Sequence, residues 1–166
     1  ARPLTPAVEE VYNKGIPVIV VDRKIASARY TNYIGADNHQ VGLMAGEYVA
    51  GLLKGQGNVI EVTGLPASSP AIERQQGFKE AIAKHPGIHL LSSVRGNWVQ
   101  QKAEEALDRI PATLAQADLV FAHNDVMARG AREASQRAGA QHIKIIGVDA
   151  LPGKGAGLEM VARRVL

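Results

Sequence analysis

Short apolar runs alternate along the chain with amphipathic stretches of helical period. The run at residues 16–21 is continuously apolar, which is typical of a strand buried on both faces of a parallel sheet. Similar runs predict strands near residues 33–35 and at 58–63, 88–94, 119–122 and 143–148. Most of the chain is therefore predicted to consist of β-strands separated by helices.

The stretches between these strands carry helix signals. Helices are predicted at residues 5–14, 38–52, 69–85, 99–114 and 125–138, with a short one near 158–161. Thr5 and Asn38 are suited to cap the first two. The second predicted helix has an apolar stripe at spacings of three and four residues, formed by Val41, Met44, Ala45, Tyr48, Val49 and Leu52. Five or six βα units in series predict an α/β fold with a doubly wound, mostly parallel sheet.

The composition excludes several classes of protein. With 166 residues and 46% hydrophobic content the chain is long and apolar enough to bury a core, and no apolar run approaches the roughly 20 residues of a membrane span. It contains no cysteine, so a disulfide scaffold, a thiolate nucleophile and a sulfur-ligated zinc site are excluded. The net charge is +3 with scattered basic residues, which gives nucleic-acid binding no support.

Both ends of the chain look cut, because it starts without an initiator methionine or signal peptide and ends within a pattern. We interpret it as part of a larger protein.

The common catalytic signatures are missing from the sequence. It has no G-x-S-x-G elbow, no H-E-x-x-H pair and no phosphate-binding loop, and the glycines at 153–157 are best interpreted as a flexible turn. His85 and His89 are four residues apart but flank a Pro-Gly turn rather than lying on one face of a helix, so neither a metal site nor a cofactor is predicted. His123 either lines a site or is a polar residue at the end of a strand.

Polar side chains recur where the predicted strands end, which is where open α/β sheets bind ligands. The candidate site residues are Asp22, Arg23, Arg74, Trp98, Asn124 and Asp149. Carboxylate, amide and guanidinium groups match the adjacent hydroxyls of a sugar, and an aromatic face covers its C–H side. No pair of carboxylates flanks a nucleophile, so the pattern favours binding of a sugar over its turnover.

Each candidate residue also has a purely structural interpretation. Asn124 could cap the following helix, and Asp149 could start a turn. Arg74 could be a solvated helix residue, and Trp98 could cover the edge of the core. Asp22 and Arg23 could form a local ion pair. Their shared position at one rim favours the binding interpretation.

Several segments carry a family resemblance. They are GIPVIVVDR at 15–23, IGADN at 34–38, AIERQQGF at 71–78, VFAHNDVMARGA at 120–131 and IIGVDA at 145–150. With these segments the chain resembles type 1 periplasmic sugar-binding proteins of the ribose-binding kind. The resemblance implies two lobes that close on a monosaccharide, with 1–23 ending the first lobe, 24–32 crossing over and 33–166 forming an incomplete second lobe.

The resemblance also assigns roles to the candidate residues. It implies that Asp22 and Arg23 hold the sugar from the first lobe, whereas Arg74, Asn124 and Asp149 hold it from the second. Trp98 stands where ribose-type proteins carry a stacking phenylalanine.

A finer resemblance rests on VDALPGKG at 148–155, LTP at 4–6 and DRK at 22–24. These segments resemble the extracytoplasmic sensor of hybrid two-component histidine kinases from Bacteroidetes. This implies a non-catalytic periplasmic domain that senses a small-molecule sugar, without cofactor or nucleic acid, in a membrane-anchored parent protein; a homodimer is compatible with it. The alternatives are a sugar receptor of an ABC transporter, the effector core of a lactose-repressor-type regulator and a doubly wound enzyme.

Overall fold

A computed structural model describes residues 2–164 and 166, in which strands and helices alternate as the sequence predicts. After one turn of 3-10 helix at Arg2–Leu4, the strands are β1 Ile19–Val21, β2 Asn32–Ile34, β3 Gln56–Thr63, β4 Gly87–Arg95, β5 Leu119–Ala122 and β6 Lys144–Ile146. The helices are α1 Thr5–Asn13, α2 Asn38–Leu52, α3 Ser69–Ile82, α4 Gln100–Asp108, α5 Pro111–Ala115, α6 Asp125–Arg137 and α7 Gly157–Ala162.

The strands form two separate parallel sheets. β1 pairs with β2, and the larger sheet has the order β4-β3-β5-β6. Every strand pair is parallel, which confirms the predicted α/β fold class. Tyr33 pairs with Val20 of β1, so the strand predicted near residues 33–35 lies in the smaller sheet, and the division of the chain into two lobes stays a prediction.

The core lies on both faces of the larger sheet. On one face Ile60, Val62 and Val120 pack with residues of α4 and α6. On the other face Val59 and Phe121 pack with residues of α2 and α3. Successive β3 residues point to opposite faces, and both faces are covered by helices, as expected for a central parallel strand.

Helices α2 and α3 pack closely because glycines replace side chains where their backbones meet. A Cβ on Gly42 would collide with the carbonyl of Arg74, and a Cβ on Gly77 would collide with the carbonyl of His39. This contact turns the glycine face of α2 toward α3. The predicted apolar stripe is therefore partly wrong, because Met44 and Tyr48 are 63% and 60% exposed.

Two predicted helix caps are also wrong. The carboxylate of Asp37 accepts from the Gln40 N–H and caps α2, which leaves Asn38 inside the helix and buried. Leu4 occupies the N-cap position of α1, and the Thr5 hydroxyl accepts from the Ala26 N–H instead.

Two further predictions differ from the structure for clear physical reasons. The helix predicted at 99–114 is divided into α4 and α5, because Pro111 disfavours helical backbone at Ile110 and lacks an N–H. The first strand is shorter than predicted and is not buried on both faces, since Ile19 and Val21 are 59% and 64% exposed.

Candidate functional site

A cavity of about 160 Å³ lies at the carboxyl ends of the strands, between the end of β1 and the larger sheet. It is lined by Asp22, Arg23, Ser68, Pro70, Arg74, Trp98, Asn124 and Asp149. All six residues singled out from the sequence therefore line one cavity, together with two that were not predicted. Their role in ligand binding stays a prediction.

Arg74 on α3 is held in place from two sides. Its Nε donates to Asn38 Oδ1 at 2.9 Å, and its Nη1 donates to the main-chain carbonyl of His123. The Arg74 side chain is only 11% exposed. This rules out the interpretation of Arg74 as a solvated helix residue.

Asp149 faces Arg74 across the cavity. Its Oδ1 lies 3.8 Å from Arg74 Nη1, which is an ion pair too long for a good hydrogen bond. Burial lowers the pKa of the Arg74 guanidinium, although the charges of Asp149 and Asp22 oppose the shift. Burial raises the pKa of the Asp149 carboxyl, with Arg74 opposing and Asp125 and Asp22 adding to the shift. Both groups are therefore less well stabilised as ions than in water.

Asp22 and Arg23 enter the cavity from the end of β1. The Asp22 N–H donates to the Ile34 carbonyl, and the Tyr33 hydroxyl donates to the Asp22 carbonyl, so β2 fixes the backbone here. Arg23 Nε lies 3.7 Å from Asp22 Oδ2, with both side chains largely exposed. The local ion pair between Asp22 and Arg23, which was the structural interpretation of these residues, is therefore present. Both side chains remain exposed enough to form hydrogen bonds with a ligand as well.

Trp98 follows β4 in a turn held by the end of β3. The Thr63 carbonyl accepts from the N–H groups of Gly96 and Asn97. The indole ring lies against Gly64, where a Cβ would collide with it, and the Arg74 guanidinium lies 5.8 Å from the ring centroid. Trp98 also packs against the core cluster of the larger sheet. Trp98 therefore covers the edge of the core, as its structural interpretation predicted, and it also forms part of the cavity wall.

Asn124 and Asp125 begin α6 next to the cavity. Asn124 Oδ1 accepts from the Met127 N–H at 2.8 Å, so the capping interpretation is confirmed. That contact leaves the Asn124 amide N–H₂ and one lone pair of Oδ1 free to bind a ligand. Asp125 accepts from the Leu151 N–H at 2.8 Å and so anchors the loop that carries Asp149.

Backbone strain concentrates at this cavity. Asp22, Trp98 and Asp149 have φ values of 62°, 68° and 103°, in the left-handed region that disfavours residues other than glycine. Their neighbours Asn97 and Ala150 do as well. Strain of this kind persists where the surroundings hold it and is common at ligand sites.

A buried hydrogen-bonded pair, Glu61 and His123, lies behind the cavity. His123 Nε2 is 3.0 Å from Glu61 Oε1, and Ser93 and Gln75 donate to Glu61 Oε2 at 2.6 and 2.9 Å. Burial alone would raise the pKa of the Glu61 carboxyl. The interactions with His123, Ser93 and Gln75 outweigh burial, so the pKa of Glu61 is lowered overall. His123 is fully buried and supports Arg74 through its carbonyl.

Sequence reasoning missed the contributions of Ser68, Asn38 and Glu61. Asn38 was predicted to cap a helix, and nothing in the sequence indicated that it contacts Arg74. Ser68 precedes a Ser-Pro helix start, which is the position of an N-cap residue. Its place in the cavity depends on the orientation of α3, which a local pattern does not reveal.

Within residues 2–164 and 166, no group of three or more His, Cys, Asp or Glu side chains is arranged to hold a metal ion. Over the same residues, no helix is both long enough and apolar enough to cross a membrane.

Known proteins share this sequence and this architecture. Residues 1–160 match the family described as periplasmic binding protein domain. The chain is 33% identical over 146 residues to the ribose import binding protein RbsB of Escherichia coli (strain K12), a match that covers 88% of this chain and 49% of that protein. The chain spans about half the length of the curated relatives it matches.

Solved structures extend the comparison. The fructose binding periplasmic domain of the hybrid two component system BT1754 is 51% identical with a TM-score of 0.97, over 100% of this chain and 56% of that one. A galactofuranose binding protein is 30% identical with a TM-score of 0.83, over 90% of this chain and 54% of that one. Given a family match over nearly the whole chain and these structural likenesses, the chain belongs to the periplasmic binding protein family and has its type 1 fold.

Proposed function

We propose that this chain binds a free monosaccharide in the cavity lined by Arg74 and Asp149, without consuming it. The observation that carries the proposal is the convergence of opposite charges on one cavity: two carboxylates can accept hydrogen bonds and two guanidinium groups can donate them. Adjacent sugar hydroxyls match both kinds of partner, and the Trp98 indole supplies an apolar wall.

The geometry supports binding over catalysis. Among the residues that line the cavity, Ser68 carries the hydroxyl that could serve as a nucleophile. Its Oγ has no hydrogen-bond partner that could act as a base. The carboxylates of Asp22 and Asp149 belong to two different parts of the structure, the end of β1 and the loop after β6. If residues 1–23 end a first lobe and residues 33–166 belong to a second, as we propose, Asp22 and Asp149 would approach a ligand from different lobes.

D-Fructose is the first sugar to consider. The structure with 51% identity over the whole chain is named as a fructose binding domain, whereas the ribose import binding protein and the galactofuranose binding protein are more distant. We therefore propose a monosaccharide ligand, with D-fructose preferred over D-ribose and D-galactose.

Calorimetry with the 166-residue chain tests this proposal. D-Fructose, D-ribose, D-galactose and L-arabinose are titrated in turn, with L-leucine and adenosine as ligands of other classes. We expect saturable heat with D-fructose and recovery of the unchanged sugar afterwards. Binding of adenosine or leucine with no response to any sugar would contradict the proposal, and chemical conversion of the sugar would favour the enzyme alternative.

We further propose that the parent protein is a hybrid two-component histidine kinase and that this chain is part of its periplasmic sensor. The support is the similarity to the BT1754 sensor domain, at 51% identity and a TM-score of 0.97. A complete coding sequence that continues into a membrane span and a kinase module would agree with this proposal.

A receptor of a sugar ABC transporter is the second candidate. It is favoured by the 33% identity to the ribose import binding protein of Escherichia coli. A coding sequence without a kinase module, beside genes for a transporter permease and ATPase, would favour this candidate over the sensor.

A further inference from the structure

Ser68 stands out among the cavity residues because its hydroxyl is buried and unpartnered. The residue is 3% exposed, and its Oγ makes no hydrogen bond. Buried hydroxyls in native proteins nearly always have a partner, so an exception calls for a physical explanation. Two of the four buried unpartnered side-chain atoms in the described part of the chain, Ser68 Oγ and Trp98 Nε1, belong to residues that line this cavity.

Helix capping does not explain the serine. Ser68 is the N-cap residue of α3, with extended backbone at φ −88° and ψ 126°, but its side chain makes no capping hydrogen bond. An N-cap serine usually accepts from the N–H of the second or third helical residue, and here the second is Pro70, which has none. The helix start thus has a serine in the capping position whose hydroxyl is not used for capping.

The Ser68 hydroxyl is the one group among the side chains lining this cavity in which a single atom both donates and accepts. Carboxylates only accept, guanidinium groups only donate, and the Asn124 amide donates and accepts through two separate atoms, of which Oδ1 already accepts from the Met127 N–H. A serine hydroxyl both donates and accepts, as a sugar hydroxyl does. A carboxylate or a guanidinium group uses only the donor or only the acceptor capacity of a sugar hydroxyl. The Ser68 hydroxyl can supply the hydrogen bond that such a charged partner leaves unmade.

We propose that Ser68 is a specificity-determining residue that hydrogen-bonds one hydroxyl of the bound sugar. This inference rests on the proposed monosaccharide function and assigns it a residue that neither the sequence pattern nor the family comparison indicated. A site that hydrogen-bonds a ligand hydroxyl rejects the analogue lacking it, because the buried protein group then loses its partner.

The experiment compares Ser68→Ala with the unmodified chain in calorimetry against D-fructose and its monodeoxy analogues. If another sugar binds more tightly in the panel above, the monodeoxy analogues of that sugar are used. We expect Ser68→Ala to weaken binding of the parent sugar about five- to tenfold, the loss typical of one neutral hydrogen bond. One monodeoxy analogue should bind both proteins equally, which identifies the contacted hydroxyl.

Thermal unfolding of the ligand-free proteins separates a binding role from a structural one. Ser68→Ala should not lower the Tm, because it removes a hydroxyl without a protein partner. Ser135→Ala is the matched control: Ser135 is also fully buried, but its hydroxyl donates to the Ala131 carbonyl in α6. That control should leave sugar affinity unchanged.

The outcomes distinguish this inference from the proposed function. Equal affinity of the unmodified chain and Ser68→Ala for every sugar would overturn the role of Ser68 and leave sugar binding intact. A large fall in the Tm of Ser68→Ala would also overturn it, in favour of a structural serine. Failure of the unmodified chain to bind any sugar would overturn both.

Discussion

At the scale of single residues, the cavity holds one pair of opposite charges, Arg74 and Asp149, where both are poorly solvated. Burial shifts the pKa of Arg74 downward and the pKa of Asp149 upward, so each group favours its neutral form more than it would in water. Such an arrangement costs stability in the ligand-free chain and leaves hydrogen-bonding capacity for a ligand.

Asp149→Asn should separate binding from stability. The folded chain holds the Asp149 proton more tightly than the unfolded chain does, because the pKa of Asp149 is raised in the fold. The contribution of Asp149 to the free energy of unfolding is therefore fully present below the usual Asp pKa, and it falls as the pH rises through the raised pKa. Sugar affinity should rise over the same interval, since the ionised carboxylate accepts hydrogen bonds. The variant should bind at least about tenfold more weakly, or about 1.4 kcal/mol, at neutral pH.

The measurements for Asp149→Asn are calorimetry and thermal unfolding as functions of pH. Ligand-free Asp149→Asn should match or exceed the Tm of the unmodified chain at neutral pH. A lower Tm with unchanged sugar affinity would show that Asp149 is a structural turn residue.

The buried Glu61 carboxylate should matter for both stability and binding. Removing a buried carboxylate leaves its hydrogen-bond partners unsatisfied, here His123, Ser93 and Gln75, at a cost of about 1–3 kcal/mol for each. Glu61→Ala should destabilise the chain by that order and weaken sugar binding, because His123 would no longer be anchored where its carbonyl accepts from Arg74. Urea unfolding and calorimetry measure the two effects.

A surface acid provides the control for Glu61. Glu105 pairs with Lys102 on the exposed side of α4, and Glu105→Ala should change neither property appreciably. If Glu61→Ala behaved like Glu105→Ala, the buried pair would not support the site.

At the scale of elements, local patterns predicted which segments are strands and helices better than they predicted which faces are buried. The strand at residues 119–122 is found as predicted because both of its faces are covered. The face of α2 was mispredicted, because glycines gave no apolar signal although they form the contact with α3. The break between α4 and α5 at Pro111 was in principle readable from the sequence.

The glycine contact between α2 and α3 makes a clear prediction. Gly77→Ala should destabilise the chain by about 1–3 kcal/mol or more, because the new methyl group would collide with the His39 carbonyl. Gly51→Ala is the matched control on α2, since nothing lies within 4 Å of its Cβ position. The control should stabilise by about 0.5–1 kcal/mol through helix propensity. Equal effects of the two variants in urea unfolding would contradict the close packing.

At the scale of the whole molecule, the segment after β1 is tied to α3, the helix that packs on one face of the larger sheet. Lys24 Nζ lies 2.9 Å from Glu73 Oε1, and the Lys24 N–H donates to the Ser69 hydroxyl at 2.8 Å. The hydrogen bond that the Lys24 ammonium donates to Glu73 raises the pKa of Lys24, although burial lowers it. These contacts bridge the two parts of the structure that together line the cavity.

Glu73→Gln should therefore weaken sugar binding by about threefold, the modest effect expected of a partly exposed ion pair. Higher salt should reduce the difference between variant and unmodified chain. The control is Glu104→Gln, which removes an ion pair with Arg137 between α4 and α6, away from the cavity. A loss of affinity in both variants alike would show that the Lys24 contact has no special role.

The overall architecture was predictable because alternating apolar runs and amphipathic stretches admit few topologies. The candidate site was predictable in outline, since Asp22, Asn124 and Asp149 follow strands that end on one side. The division into two sheets and the exposure of Ile19 depend on which strands pair, which no local pattern contains. The left-handed backbone of Trp98 and the unpartnered hydroxyl of Ser68 likewise arise only from tertiary packing.

The central claim, that this cavity binds a monosaccharide, is tested most directly by the Trp98 indole N–H resonance in a ¹H–¹⁵N correlation spectrum. Trp98 is the one tryptophan of the chain, so this resonance is a single resolved reporter, and its Nε1 has no protein partner. Titration with D-fructose should shift it saturably with the calorimetric affinity, whereas the amide of Gly139, exposed beyond α6, should stay in place. An unmoved indole resonance at a fructose concentration that saturates the calorimetric signal would contradict the account.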